Sequence, residues 1–213
     1  MTERLDLRGK TITTHIVGRA ADVLDRMADG DVLELRTDDA EFIDHDLRVW
    51  CRSNGTEILS SGCAEGAVRY RLRRHGTAPP GFSLALVISQ DGLEQLLSPL
   101  GFALAAALEG AQVSLYFQGP AVRALTPRFR PRLHGLSRPF TVFARRGLER
   151  VGHAPPQEKI AQLRRLGARL YACGPSMRRF GVDREGLLYD DIVVAEYLTF
   201  MDVLRRSDVH LYT

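Results

Sequence analysis

Lysine is nearly missing from this 213-residue chain. Only Lys10 and Lys159 occur, and arginine supplies the rest of the 29 basic residues. We attribute that skew to genomic base composition rather than to function. Cysteine is also scarce. Three residues, Cys51, Cys63 and Cys173, exclude a disulfide scaffold, and an odd number leaves at least one thiol unpaired within the chain. No apolar run reaches the roughly 18 residues that span a bilayer. The most apolar run, Leu96 to Leu108, is interrupted by Ser98, Pro99 and Gly101 and reads as a buried helix. The first residues, Met1 to Arg8, carry charges where a secretory signal has its apolar core, so no export is expected. The expected place is a reducing cytoplasm away from membranes, where thiols stay free.

Several chemical signatures are missing too. No G-x-G-x-x-G follows a strand, and no P-loop is present, so a nucleotide cofactor is not expected. The G-x-S-x-G elbow of a serine hydrolase is absent. His15, His45, His75, His134, His153 and His210 are scattered, with none at ligand spacing from a cysteine, so neither a metal nor an organic cofactor is expected.

What remains is an ordinary globular composition, 45% hydrophobic and 26% charged, which excludes a mainly disordered chain. The segment His75-Gly-Thr-Ala-Pro-Pro-Gly81 continues neither helix nor strand. It divides the chain into residues 1–74, a linker 75–81 and residues 82–213. The first part carries a small acidic excess and the second a basic one.

In the first part, Leu5 and Leu7 flank Asp6 as a short strand. Thr13 or Thr14 is expected to cap a helix with Ile16, Ala20, Val23, Leu24 and Met27 inward. Leu33 and Leu35 alternate with Glu34 and Arg36. Asp38 or Asp39 is expected to cap a second helix with Phe42, Ile43, Leu47, Trp50 and Cys51 inward, stopped at Asn54-Gly55. Strands over 57–61 and 68–73 follow, with Cys63 in the loop between them. The order βαβαββ predicts an α/β two-layer sandwich, two helices on one sheet face.

In the second part, Phe82 to Ser89 is a continuous apolar run, the mark of a strand buried on both faces. Helix 93–109, strand 112–117, helix 157–166 with a basic outer face, strand 168–173, a short helix near Pro175, a helical stretch 190–206 and strand 209–212 complete it. The alternation predicts a doubly wound, mostly parallel sheet. Between Gly119 and His153 four prolines break any long helix. Eight arginines accompany one acidic residue there, Glu149. No nucleic-acid motif goes with them, so nucleic acid is not the expected partner. A solvated loop is the leading expectation, beside acidic proteins, subunit contacts or anionic sulfur species.

The first part resembles TusA (SirA-like) sulfur-carrier domains. The resemblance rests on Leu5-Asp-Leu-Arg-Gly9, Asp29-Gly-Asp31, Thr37-Asp-Asp39, and Trp50-Cys-Arg-Ser-Asn-Gly55 before Glu57-Ile-Leu59. That family holds its thiol in R-G-x-x-C-P-x-P at the start of the first helix. Here Arg8-Gly9 is followed by Lys10-Thr-Ile-Thr-Thr-His15, so Ile12 stands at the cysteine position. The resemblance implies a carrier fold without carrier chemistry, in a docking or structural role. The second part resembles the DsrE/DsrF-like family, on Arg169-Leu-Tyr-Ala-Cys173-Gly-Pro-Ser-Met-Arg-Arg-Phe-Gly-Val182. It implies that Cys173 is the residue that bears sulfur as a persulfide in the relaying members.

The residues agree with that implication. Cys173 ends a buried strand, where functional groups of a parallel sheet gather. Gly174 and Ser176 form the turn into a helix, and Arg178 and Arg179 are close; both features favour thiolate. The expected function is sulfur relay or sulfurtransferase-type transfer through Cys173, with sulfur-donor or sulfur-acceptor proteins as partners and a homo-oligomer as the assembly. The alternative is a non-catalytic scaffold or binding protein that keeps both folds. Cys51 reads as core packing and Cys63 as a tolerated loop thiol.

Overall fold

The structure is a computed structural model. It describes residues 1–64, 66–74, 81–133 and 135–213, with the side chains of residues 136 and 138 set aside. Apart from Gly81, the expected linker therefore lies outside the described residues. The chain forms two compact units. The first comprises Met1–Pro80 with Leu108–Gly110 and Arg146–Ala154; the second comprises Gly81–Ala107, Ala111–Arg145 and Pro155–Thr213.

In the first unit, strands β1 (Thr2–Asp6), β2 (Val32–Asp38), β3 (Thr56–Ala64) and β4 (Ala67–Arg74) lie in the order β1-β2-β4-β3. The β1–β2 pair is parallel and the other two are antiparallel. Helices α1 (Thr13–Leu24) and α2 (Glu41–Ser53) supply the βαβαββ order. Strict alternation makes the sheet two-faced. Leu33, Leu35, Tyr70 and Leu72 are fully buried beneath the helices. Glu34 on the opposite face meets Arg4, Arg36 and Arg69 at 3.9, 3.6 and 3.4 Å. The arginine partners are open to solvent, and pairs of that kind contribute little to stability.

Three expectations are corrected here. The helix caps are Ile12 and Ala40, not threonine or aspartate. Asp38 is engaged by the Gly9 N–H (2.9 Å) and Asp39 by the Cys63 thiol, so neither carboxylate turns to α2. Phe42 is half exposed, because the buried stripe of α2 runs through Ile43, Leu47, Trp50 and Cys51 and leaves position 42 on its flank. Cys63 lies within strand β3, opposite Val68 of β4, and not in a loop.

In the second unit, β5 (Ser83–Ile88), β6 (Gln112–Phe117), β7 (Arg169–Cys173), β8 (Val193–Ala195) and β9 (Val209–Tyr212) form an all-parallel sheet in the order β8-β7-β6-β5-β9. Helices α3 (Leu93–Leu108), α4 (Thr141–Arg150), α5 (Pro156–Arg165), α6 (Gly174–Phe180) and α7 (Tyr197–Arg205) follow in chain order, with Leu108 of α3 and α4 from Arg146 onward counted in the first unit. This is the doubly wound arrangement: the chain steps outward from β5 through β8, then returns to β5's other edge as β9. Residues Leu84–Ile88 are all buried, as the continuous apolar run requires.

The sequence does not reveal β8. The β-branched Val193 and Val194 extend the β7 edge, so the expected helix over 190–206 starts only at Tyr197. Between 119 and 153, 3-10 turns occupy Gly119–Leu125 and Gly135–Phe140, and α4 begins just after Pro139. The helices of this stretch are short, as the prolines lead one to expect, and Pro139 lies inside the second 3-10 turn. Lys159 is not on a basic outer face. It is 2% exposed, and its Nζ donates to the Leu97 carbonyl (3.2 Å) over the side-chain-free Gly101. Burial lowers its pKa. Among the described residues no helix is long and apolar enough to cross a membrane.

Candidate functional site

Cys173 is the last residue of β7 and the N-cap of α6, with extended backbone angles of φ −68° and ψ 112°. Pro175 suits the first turn of α6, where its missing N–H is not needed. The helix stops at Gly181, whose φ of +64° is a left-handed cap, and the Val182 N–H returns to the Met177 carbonyl at 2.9 Å. A strand end, a cysteine, two helical turns and a Gly-Val stop therefore form one continuous local structure.

The thiol is enclosed. Cys173 is 1% exposed. Tyr116, near the end of β6, is equally buried, and among the described residues its hydroxyl has no hydrogen-bond partner. Burial raises the Tyr116 pKa, and the facing Cys173 thiol raises it further. The two groups are close without forming a well-made hydrogen bond. The Tyr116 ring stacks on Phe200 (4.7 Å between centroids) and meets Tyr197 edge-on (6.3 Å); Phe200 also meets Tyr171 (5.2 Å). Aromatic side chains of α7 thus pack onto the residue that faces the thiol. Sequence reasoning does not single out Tyr116. Its one signal is a tyrosine inside an otherwise apolar buried strand, where the hydroxyl needs a partner.

The four supporting candidates separate. Gly174 and Arg178 line an open cavity of about 610 Å³, together with Pro175, Val194, Glu196 and Thr199. Cys173 itself does not line it. Ser176 Oγ accepts the Gly119 N–H (2.9 Å), which ties α6 to the 3-10 turn after β6. Arg179 lies over the Phe180 ring at 5.9 Å. The cavity side of α6 thus receives Gly174 and Arg178, while Ser176 and Arg179 serve contacts elsewhere.

The other two thiols differ from Cys173 and from each other. Cys51 is 2% exposed in the first unit's core, and burial pushes its pKa up to about 12. Cys63 is exposed, but its Sγ donates to Asp39 Oδ2 at 3.1 Å. That hydrogen bond, then partial burial and the carboxylate's charge, raise its pKa above the ordinary thiol value.

The start of α1, where Ile12 stands, is covered within the first unit by residues 146–154. The Thr11 and Ile12 N–H groups both donate to the Val151 carbonyl, at 3.0 and 3.1 Å. Lys10 Nζ donates to the carbonyls of Glu149 and Arg150, at 3.4 and 3.1 Å. Gly152, at φ +99°, packs against the His15 ring. Helix-start donors that favour an anion elsewhere are here satisfied by a strap of the same chain.

The comparisons with known proteins follow these divisions. The family model for "Sulfurtransferase TusA" matches residues 3–74, and that for the "DsrE/DsrF-like family" matches residues 83–212. Both families are related to sulfur relay. No curated protein matches the chain. Among solved structures, the chain is similar to the ychN protein from E. coli, with 14% identity over 63% of this chain and 100% of that chain, at a TM-score of 0.46. With the larger match covering more than half of its residues, the chain belongs to the DsrE/DsrF-like family and carries a TusA unit ahead of that domain.

Proposed function

We propose that this protein relays sulfane sulfur as a persulfide on Cys173, with the first unit in a docking or structural role. The observation that carries the reading is the place of Cys173, at the carboxyl end of a strand in an all-parallel sheet and at the N-cap of α6. Thiolate is the reactive form in sulfur exchange. In the step proposed, the Cys173 thiolate attacks the outer sulfur of a donor persulfide. A bond forms between Sγ and that sulfur, the donor's S–S bond breaks, and the donor leaves as a thiolate. One persulfide is lost and one gained, so no oxidant is needed. Sulfur-donor and sulfur-acceptor proteins are the partners, and the chain acts in the cytoplasm as a homo-oligomer. Entry to the enclosed thiol requires the packing around Cys173 to open.

A second reading is favoured by two observations. Cys173 is 1% exposed, and Ile12 cannot hold sulfur. On that reading the protein is a scaffold that keeps both folds without sulfur chemistry. The two are separated by incubating the Cys63→Ser variant with a sulfane-sulfur donor and reading its intact mass. The relay reading expects a gain of one sulfur atom that disappears when Cys173→Ser is added. No gain, or a gain that survives Cys173→Ser, leaves the scaffold.

A further inference from the structure

The strongest feature outside the Cys173 region is a cavity of about 570 Å³ in the second unit, lined by Arg123, Arg128, Arg130 and Arg132 with Asp91 and Gly92. We infer that this cavity is a binding site for a small molecule bearing a doubly charged tetrahedral oxyanion, a phosphate or sulfur-oxyanion group. The inference does not rest on the chemistry of Cys173.

Charge is the first argument. Among the described lining residues Asp91 is the one carboxylate, and it is bonded to the Arg123 guanidinium. Arg123 is held further by the Phe180 ring, 5.5 Å from its guanidinium carbon. Arg130 turns back on its own loop, donating to the carbonyls of Pro127 and Phe129 at 3.1 and 2.9 Å. Among the described residues Arg128 and Arg132 have no carboxylate partner. Guanidinium groups converging on one concavity repel one another unless an anion lies between them, and their planar forks match tetrahedral oxyanions in paired hydrogen bonds.

Rigidity is the second argument. The loop that carries these arginines is pinned at three places. Gln157 Nε2 donates to the Phe129 carbonyl (2.8 Å), the Leu93 N–H to the Arg132 carbonyl (3.0 Å), and the Leu133 N–H to Thr141 Oγ1 (3.2 Å). Because the backbone is held at both ends of the arginine run, the cost of ordering it on binding is reduced.

Position is the third argument. Asp91 and Gly92 follow β5, the strand whose neighbours β6 and β9 are reached in opposite directions. Ligands of open parallel sheets bind at the carboxyl ends of the strands at such a point. The volume lies in the range of small-molecule sites, about 300–1,000 Å³, which favours a small ligand over a protein segment.

The test is titration calorimetry on the full chain with sodium pyrophosphate and with sodium thiosulfate, at an ionic strength matched with chloride. One saturable site per chain is expected for at least one probe. Arg128→Gln with Arg132→Gln should weaken binding at least tenfold, and Arg132→Lys, which keeps the charge but loses the fork, should weaken it by a smaller factor. Arg165→Gln, an exposed arginine outside the cavity, should change nothing, and circular dichroism of each variant should match wild type. Tighter binding of pyrophosphate assigns the site to phosphate groups, and tighter binding of thiosulfate to sulfur oxyanions. No saturable binding of either probe, or binding unchanged in the double variant, overturns the inference.

Discussion

Three cysteines in one chain meet three environments, and each follows from what surrounds the sulfur. Cys51 sits on the buried stripe of α2, where ionisation is opposed by lost hydration. Its role in packing was legible from its helical spacing with Ile43 and Leu47. The accessible thiol is Cys63, yet the carboxylate of Asp39 holds its proton. Sequence could not show that pairing, because the two residues are brought together by β3 and the β2–α2 turn. The exposed thiol is thus not an acidic one. Because the Cys63 pKa is raised, its thiolate appears only at higher pH than for an ordinary thiol. Asp39→Asn removes the negative charge, so iodoacetamide should alkylate Cys63 several-fold faster near neutral pH, with the two proteins converging as pH rises past both thiol pKa values. Peptide mapping of the alkylated site checks this; equal rates near neutral pH would show that Asp39 does not hold the proton.

At the scale of elements, the start of α1 is closed by backbone groups of residues 149–151. The backbone donors of Thr11 and Ile12 close onto the Val151 carbonyl. The close approach requires Gly152. At φ +99° an L side chain is strained, and a Cβ there would stand 3.3 Å from the His15 ring. Gly152→Ala should therefore destabilise the first unit by about 1–3 kcal/mol, seen as a lower urea midpoint of its transition. Gly147→Ala, in α4 with open space at its Cβ, is the control and should be neutral or slightly stabilising. An unchanged midpoint for Gly152→Ala would show that the strap does not contribute to the fold.

On the scale of the whole molecule, apolar surface is unevenly distributed. Helix α7 buries Phe200 but leaves Leu198 at 89% exposure, with Tyr197 and Met201 also exposed. Apolar side chains gathered on one helix face mark an interaction surface more often than a solvated one. The proposed homo-oligomer accounts for that face, since a second copy would cover it. Sedimentation velocity should then give a mass that is a multiple of 23.8 kDa, and Leu198→Asp with Met201→Asp should return it to the single-chain mass. A wild-type protein that sediments as a single chain would remove self-association from the proposal.

Local sequence patterns are enough for the element order of the first unit, its two-faced sheet and the buried strand β5 of the second, but not for β8 or α4. Periodicity of two along β4, a helical stripe along α2 and the unbroken apolar run of β5 are local patterns, and burial follows from them directly. The sequence also places Cys173 at a strand end before a helix, because Gly174, Pro175 and Gly181 are local punctuation. How those positions are used depends on neighbours that meet only in the folded chain. The tertiary structure sets Tyr116 against Cys173, Asp39 against Cys63, Val151 against the α1 donors and the arginines around one cavity. Each of these is a meeting of side chains or backbone groups distant in sequence or carried on separate elements. Their chemistry depends on spatial neighbours and burial, for which no periodicity of a single segment carries a signal.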